Sequence, residues 1–441
     1  MIIITVISAY FIEFWYERAF FIHKPMRNRI SAFIKMLVVI LFFYKPFGLQ
    51  GQTVETGLDM LVKSRFEILR GKKVGLITNP TGVDKNLRSC IDLIFKAPGV
   101  RLTSLYGPEH GVRGEYNAGE IIGSTIDPST HLKVYSLYGT TRKPTKEMLE
   151  GIDVLVYDIQ DIGSRSYTFI STLGLAMEAA AENDIPFIVL DRPNPLGGIR
   201  MEGPLVEKDF ISFVSQYPIP YIHGMTVGEL AMFLNGEGLL KNGVKCNLKV
   251  IKMNGWKRDM CFEETGLPWV PSSPHIPQAA TCHFYPATGI IGELYVASNG
   301  VGYTLPFQTF AAEWINADSL AQNLNKLGLP GLIFRPVHYK PYYSVSQGKM
   351  VHGVQIHLMD KKSAPLSLIQ FYLLQEAHKL WPGKDVFALC DKSRLDMFDK
   401  VCGTDKVRIE FTKNFRVDSI LELWNGSVPA FRKRVQQYLL Y

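Results

Sequence analysis

Glu109 stands between Pro108 and His110 in a loop flanked by Gly107 and Gly111, while Asp158, Asp161 and Asp191 lie at or just past the ends of short apolar runs. Paired carboxylates flanking a bond are what glycoside cleavage needs: one protonates the departing oxygen, and the other assists at the sugar carbon or through a water. Asp161 comes just before a helical stretch, where an aspartate ordinarily caps backbone N–H groups. Glu109 has no such evident structural duty. Arg113, Arg165 and Arg192 lie in or beside the same loops, as do the amides of Asn79, Gln160 and Asn194. A guanidinium grips a carboxylate with two parallel bonds, and Arg165 is close to the start of a long helix, whose N–H groups favour anions. These loops therefore suit a small negatively charged ligand, although the arginines could equally neutralise the neighbouring aspartates. His110, His223 and His275 could carry protons or contact a ligand, but none has metal-ligand spacing, so neither a metal nor a cofactor is expected.

Several familiar arrangements are absent from the sequence. It has no G-x-S-x-G elbow, no H-E-x-x-H, no P-loop and no G-x-G-x-x-G after the first strand. A serine hydrolase, a zincin, a kinase and a dinucleotide dehydrogenase are all disfavoured. What remains is carboxylate chemistry.

The polar clusters follow apolar, β-branched runs at residues 74–78, 102–106, 154–157 and 187–190, each short enough to be a buried strand. Helical stretches alternate with them, the clearest over residues 168–183, rich in Ala, Leu, Met and Glu. This predicts a doubly wound, parallel α/β sheet whose strand-end loops converge on one crevice. Beyond Gly203 the pattern changes. Thr226 and Glu229 form a capping box that opens a helix to about residue 234. Strands are expected over 248–253, 332–337 and 354–359, helices over 319–327 and 366–380, and a helical, basic segment from about 427. The segments 271–277 and 285–289, rich in proline and hydroxyls, read as rigid loops. The expected division is residues 52–204 for the doubly wound domain and 205–441 for a smaller second α/β (α+β) domain, with the cleft between them.

A chain of 441 residues, 47% hydrophobic, can bury two ordinary cores. Met26 is followed by Arg27, Arg29 and Lys35, then by an apolar run over 36–44. That is the pattern of a secretory signal peptide, so residues 1–51 are expected to be removed on export to the periplasm or cell exterior, with Met26 an alternative start. The rival is one or two membrane anchors; after cleavage no stable membrane insertion is expected. Those 51 residues hold six basic and two acidic side chains, so they account for four of the chain's seven net positive charges. No extended Lys/Arg run remains, and no nucleic-acid partner is expected. Six widely spaced cysteines without a C-x-x-C pair leave both pairing and buried thiols open. Oligomeric state is not legible.

Taken together, Gly75-Leu76-Ile77-Thr78-Asn79, Gly107-Pro108-Glu109-His110-Gly111-Val112-Arg113-Gly114, Asp158-Ile159-Gln160-Asp161-Ile162-Gly163-Ser164-Arg165, Asp191-Arg192-Pro193-Asn194-Pro195 and His223-Gly224-Met225-Thr226 resemble the exo-β-N-acetylmuramidase (NamZ) family. The resemblance covers roughly residues 58–441. It implies a Rossmann-like domain, a smaller second domain, an active site between them, and an exported hydrolase that releases N-acetylmuramic acid from the non-reducing ends of peptidoglycan fragments. It also places the proposed catalytic glutamate at Glu109. The lactyl carboxylate of that sugar agrees with an arginine-lined cleft. Ile222 and Leu305 stand where many family members carry arginine, and Asn299-Gly300-Val301-Gly302 replaces a Glu-Gly-Arg-Gly run. On this reading Glu109 is the general acid, and either Asp158 or the substrate's own acetamido group is its partner. Asn79, His110, Arg113, Gln160, Asp161, Arg165, Asp191, Arg192, Asn194, His223 and His275 line the substrate site. The alternatives are a non-catalytic binder of cell-wall sugars and a hydrolase of another N-acetylated glycoside.

Overall fold

Two strands of the first half are buried at every residue, which is why their sequences run apolar without alternation. The computed structural model describes residues 53–114 and 123–441, so the expected signal segment lies outside the described residues. A seven-stranded sheet is built from β1 (Lys73–Thr78), β2 (Arg101–Gly107), β3 (Thr125–Ile126), β4 (Lys133–Ser136), β5 (Val154–Asp158), β6 (Phe187–Leu190) and β7 (Leu248–Ile251), in the order β3-β4-β2-β1-β5-β6-β7. Every pairing is parallel except that of the edge strand β3 with β4. Without β3 this is the doubly wound Rossmann order, with its switch point between β1 and β5. Helices α1 (Gly57–Lys63) and α2 (Cys90–Phe95) pack on one face, and α3 (Phe169–Glu182) and α4 (Val227–Gly236) on the other.

Helix α4 starts at the expected capping box: Thr226 Oγ1 accepts from the Glu229 N–H at 3.2 Å, and the Glu229 carboxylate accepts from the Thr226 N–H at 3.0 Å. The large sheet does not end near residue 204. Its seventh strand, β7, lies beyond that point and pairs with β6 in parallel, with α4 in the connection between them as a βαβ unit requires.

The smaller sheet is antiparallel, in the order β8 (Thr309–Ala312), β10 (Val351–Leu358), β9 (Leu332–Tyr339). Around it pack α5 (Thr281–Gly292), α6 (Ala317–Lys326), α7 (Ile369–Leu380), and the short helices α8 (Val386–Leu389), α9 (Lys392–Cys402), α10 (Lys406–Phe411) and α11 (Leu421–Asn425). Finally α12 (Val428–Val435) returns to the first layer, where Val428, Phe431 and Val435 join the core under α3 and α4. Residues 285–289, expected as a loop, lie inside α5 despite Pro286. Tertiary packing overrides the proline there: the Pro286 carbonyl accepts from Gln370 Nε2 at 3.2 Å, and Pro286 itself is buried. None of the six cysteines is paired, and five of them are buried. Among the described residues no helix is long and apolar enough to cross a membrane.

Candidate active site

The loop leaving β2 turns sharply. His110 and Gly111 have φ of +75° and +77°, and the first is a conformation that few non-glycine residues adopt. This turn presents Glu109 and His110 to a cavity of ≈ 250 Å³. Ser166, Tyr167 and Thr168 at the amino end of α3 line it, together with Ser273 and His275 from the proline-rich loop, Tyr285 from α5, Glu293 just past that helix, and Phe307. Phe307 is a second left-handed residue, at φ +63°. Such strain persists only where the surroundings enforce it, and it gathers at functional sites. The walls are rigid. Tyr285 meets Tyr167 and Phe307 edge to face at 5.8 and 4.9 Å, its hydroxyl lies 3.1 Å from Ser166 Oγ, and the Tyr167 hydroxyl donates to Ser272 Oγ at 2.8 Å.

The cavity holds two carboxyl groups. Burial, and then the Glu109 charge that accepts its hydrogen bond, push the Tyr138 hydroxyl up to about 12. His275 is lowered by burial first and then by His110. Glu293 is raised by burial, with Arg394 opposing at 3.9 Å. It also follows the carboxyl end of α5, where a negative charge is disfavoured. Tyr285 lies within reach of the charges of both Glu293 and Glu109. An acid–base pair acting on one bond needs this kind of arrangement: two carboxyls on one cavity, in different surroundings.

Of the residues expected at the site, Glu109, His110 and His275 come together here. Most of the others are engaged inside the fold. Asp158, at the end of β5, is fully buried, and its two oxygens accept from Arg192 Nε at 2.6 Å and Nη2 at 2.9 Å. Arg192 also donates to the Val83 carbonyl at 3.0 Å. Arg165 is 2% exposed and donates all five of its N–H groups: to Ser215 Oγ, and to the carbonyls of Pro204, Ile219, Val401 and Cys402, the last four at 2.6 to 2.9 Å. Burial lowers its pKa to about 10. Asp191 accepts from the N–H groups of Arg192 and Gly228 and from the hydroxyls of Thr226 and Tyr441, and burial raises it to about 6. Arg113 pairs with Asp127 and Asp92. Asn79 holds the turn at Thr81. Gln160 donates to the carbonyls of Asp161 and Pro193, and Asn194 donates to Met225. Asp161 accepts from the Gly163 N–H at 2.8 Å, and His223 Nε2 lies 3.7 Å from it.

The expected single crevice is therefore divided. At the switch point Thr81, Gln160 and Arg192 face a space of only ≈ 20 Å³, which Phe262 and residues 267–270 also line. Of the four strand-end segments, the loop after β2 and the chain running from β5 into α3 line the larger cavity. Glu293, Tyr138 and Tyr285 were missed in the sequence. Tyr138 follows a strand that was not anticipated; Tyr285 lies in a helix whose residues 285–289 read as a loop, and Glu293 directly follows that helix.

Profiles described as "Exo-beta-N-acetylmuramidase NamZ, N-terminal" and "C-terminal" match residues 74–280 and 283–441. The "Peptidoglycan beta-N-acetylmuramidase NamZ" of Bacillus subtilis (strain 168) is 44% identical over 388 residues, which is 88% of this chain and 91% of that relative. Two crystal structures of DUF1343 family proteins from Bacteroides fragilis NCTC 9343 share the fold. One has a TM-score of 0.84 at 55% identity, the other 0.72 at 28%, and each match covers 88% of this chain and 99% of its counterpart.

Proposed function

The chain belongs to the exo-β-N-acetylmuramidase NamZ family, and from that premise we propose that it is an exported glycoside hydrolase that removes N-acetylmuramic acid from the non-reducing ends of peptidoglycan fragments. The observation carrying this reading is the pair Glu109 and Glu293 on one cavity. Glu109 protonates the departing glycosidic oxygen. Glu293 is a stronger base than an exposed glutamate, because burial disfavours its charged form. It takes the proton from an attacking water, or from the N–H of the sugar's own acetamido group when that group closes on the anomeric carbon. The amino end of α3, at Thr168 and Phe169, offers the lactyl carboxylate a positive dipole end.

The basic segment after Met26 and the apolar run over 36–44 support export. Amino-terminal sequencing of the secreted protein should begin near residue 52; an intact chain confined to the membrane fraction would point to an anchor instead.

One observation favours a second reading, hydrolysis of another N-acetylated glycoside. Neither Arg165 nor Arg192 lines the cavity, and no lysine or arginine stands among its described lining residues. Turnover of nitrophenyl glycosides of N-acetylmuramic acid and N-acetylglucosamine decides the matter. Preference for the muramic compound supports the first reading, and preference for the glucosamine compound the second. Turnover of neither would leave a binder of cell-wall sugars.

A further inference from the structure

Beyond the mouth of the cavity the fold holds a second set of rings. The connection between β9 and β10 carries Tyr342 and Tyr343, which are 70% and 48% exposed. Both are fixed in place. The Tyr343 hydroxyl lies 2.9 Å from Nε2 of His275, and the two rings stack at 5.9 Å and 28°. His275 in turn lines the Glu109 cavity. Tyr342 stacks on Tyr303 at 6.2 Å, and Tyr303 stacks on the buried Tyr339 at 4.3 Å. The backbone is pinned as well: the Tyr342 N–H donates to the Gly302 carbonyl at 2.7 Å. Only glycine permits that approach, since Gly302 has φ +86° and a Cβ there would fall 2.0 Å from the Tyr343 carbonyl oxygen.

Two neighbouring aromatic side chains held rigidly in solvent need a reason, because the fold gains little from rings it does not bury. A tyrosine offers an apolar face and a polar edge. A pyranose ring has the same division, with C–H groups on its faces and hydroxyls around its rim. Rings that are already ordered lose little entropy when a ligand lies on them.

We propose that Tyr343 and Tyr342 form a platform for the part of the glycan that departs, with the first sugar past the cleaved bond against Tyr343 and the next against Tyr342. This rests on the exo-hydrolase reading: an enzyme that takes the terminal sugar into its cavity must send the rest of the chain over the rim. The preferred substrate is then a strand of three or more sugars.

The test compares kcat/KM for a muramic-terminated tetrasaccharide with that for the nitrophenyl monoglycoside, in the parent, Tyr342→Ala and Tyr343→Phe. In Tyr342→Ala the ratio of the two should fall about tenfold, the size of one lost aromatic contact. Tyr343→Phe keeps the ring but loses the bond to His275, so it should retain most of the preference. Tyr342→Leu serves as a second variant should the alanine chain melt early. A ratio within about twofold of the parent's in both Tyr342 variants overturns the platform. Calorimetric titration of the tetrasaccharide into Glu109→Gln, with and without Tyr342→Ala, reads the platform without turnover. About tenfold weaker binding in the double variant supports it even if the parent cleaves nothing, an outcome that would sink the hydrolase reading alone. Equal affinity overturns it.

Discussion

Arg192 spans Asp158 with two parallel N–H···O bonds of 2.6 and 2.9 Å, and neither side chain reaches the cavity that holds Glu109. A buried charge that loses its partner costs about 3 to 5 kcal/mol. Arg192→Ala should therefore lower the melting temperature clearly, while KM of the remaining folded enzyme stays within about twofold of the parent's. A large rise in KM at an unchanged melting temperature would return Arg192 to the substrate.

Arg165 joins the loop before α3 to two carbonyls at the end of α9. Lysine is a point charge and cannot serve five directions at once, so Arg165→Lys leaves buried carbonyls unmet at about 1 to 3 kcal/mol each. Denaturant unfolding should show a loss of several kcal/mol. A variant as stable as the parent would mean that the carbonyl cage contributes little.

Glu109→Gln should lower kcat on a natural disaccharide by about a hundredfold or more, the usual worth of positioned acid catalysis. The defect should be smaller on a nitrophenyl glycoside, whose oxygen leaves without protonation. Glu293→Gln should be equally damaging on both substrates if Glu293 acts as the base. Because burial raises its pKa, the acidic limb of the parent's kcat profile should lie above that of an ordinary glutamate, and the variant should lose that limb. Near-parent rates for a folded Glu109→Gln would refute its assignment.

Burial alone would raise Asp127, but the Arg113 guanidinium and the two Thr130 bonds bring it down from 3.8 to about 2. A lowered carboxylate stabilises the fold above its unfolded value and loses that contribution as pH falls through its folded one. Stability should therefore decline between about pH 4 and pH 2, and Asp127→Asn should flatten this decline while lowering stability at pH 7 by about 2 kcal/mol. Urea midpoints taken across that range would check both effects.

Much of the scaffold was legible in the residues. Continuous apolar runs announced β1, β2, β5 and β6, the Thr226 and Glu229 box marked the start of α4, and the glycine-flanked Glu109 stood out as the acid without a structural duty. The roles of the arginines were not legible. A guanidinium near three aspartates reads the same whether its partner is a substrate, a carboxylate such as Asp158, or carbonyls far along the chain. Glu293 was hidden for another reason. The local signals of Pro286 and Gly289 argue for a loop, and only packing against the neighbouring helices makes that stretch helical and sets the glutamate at the cavity.

The caging of Arg165 also orders events in time. Its two most distant acceptors lie 236 and 237 positions further along the chain, so they leave the ribosome long after the arginine does. Until they arrive, one of its terminal nitrogens has neither of its two carbonyl acceptors. Contacts of such sequence separation form slowly, so this cage should be among the last parts of the fold to close.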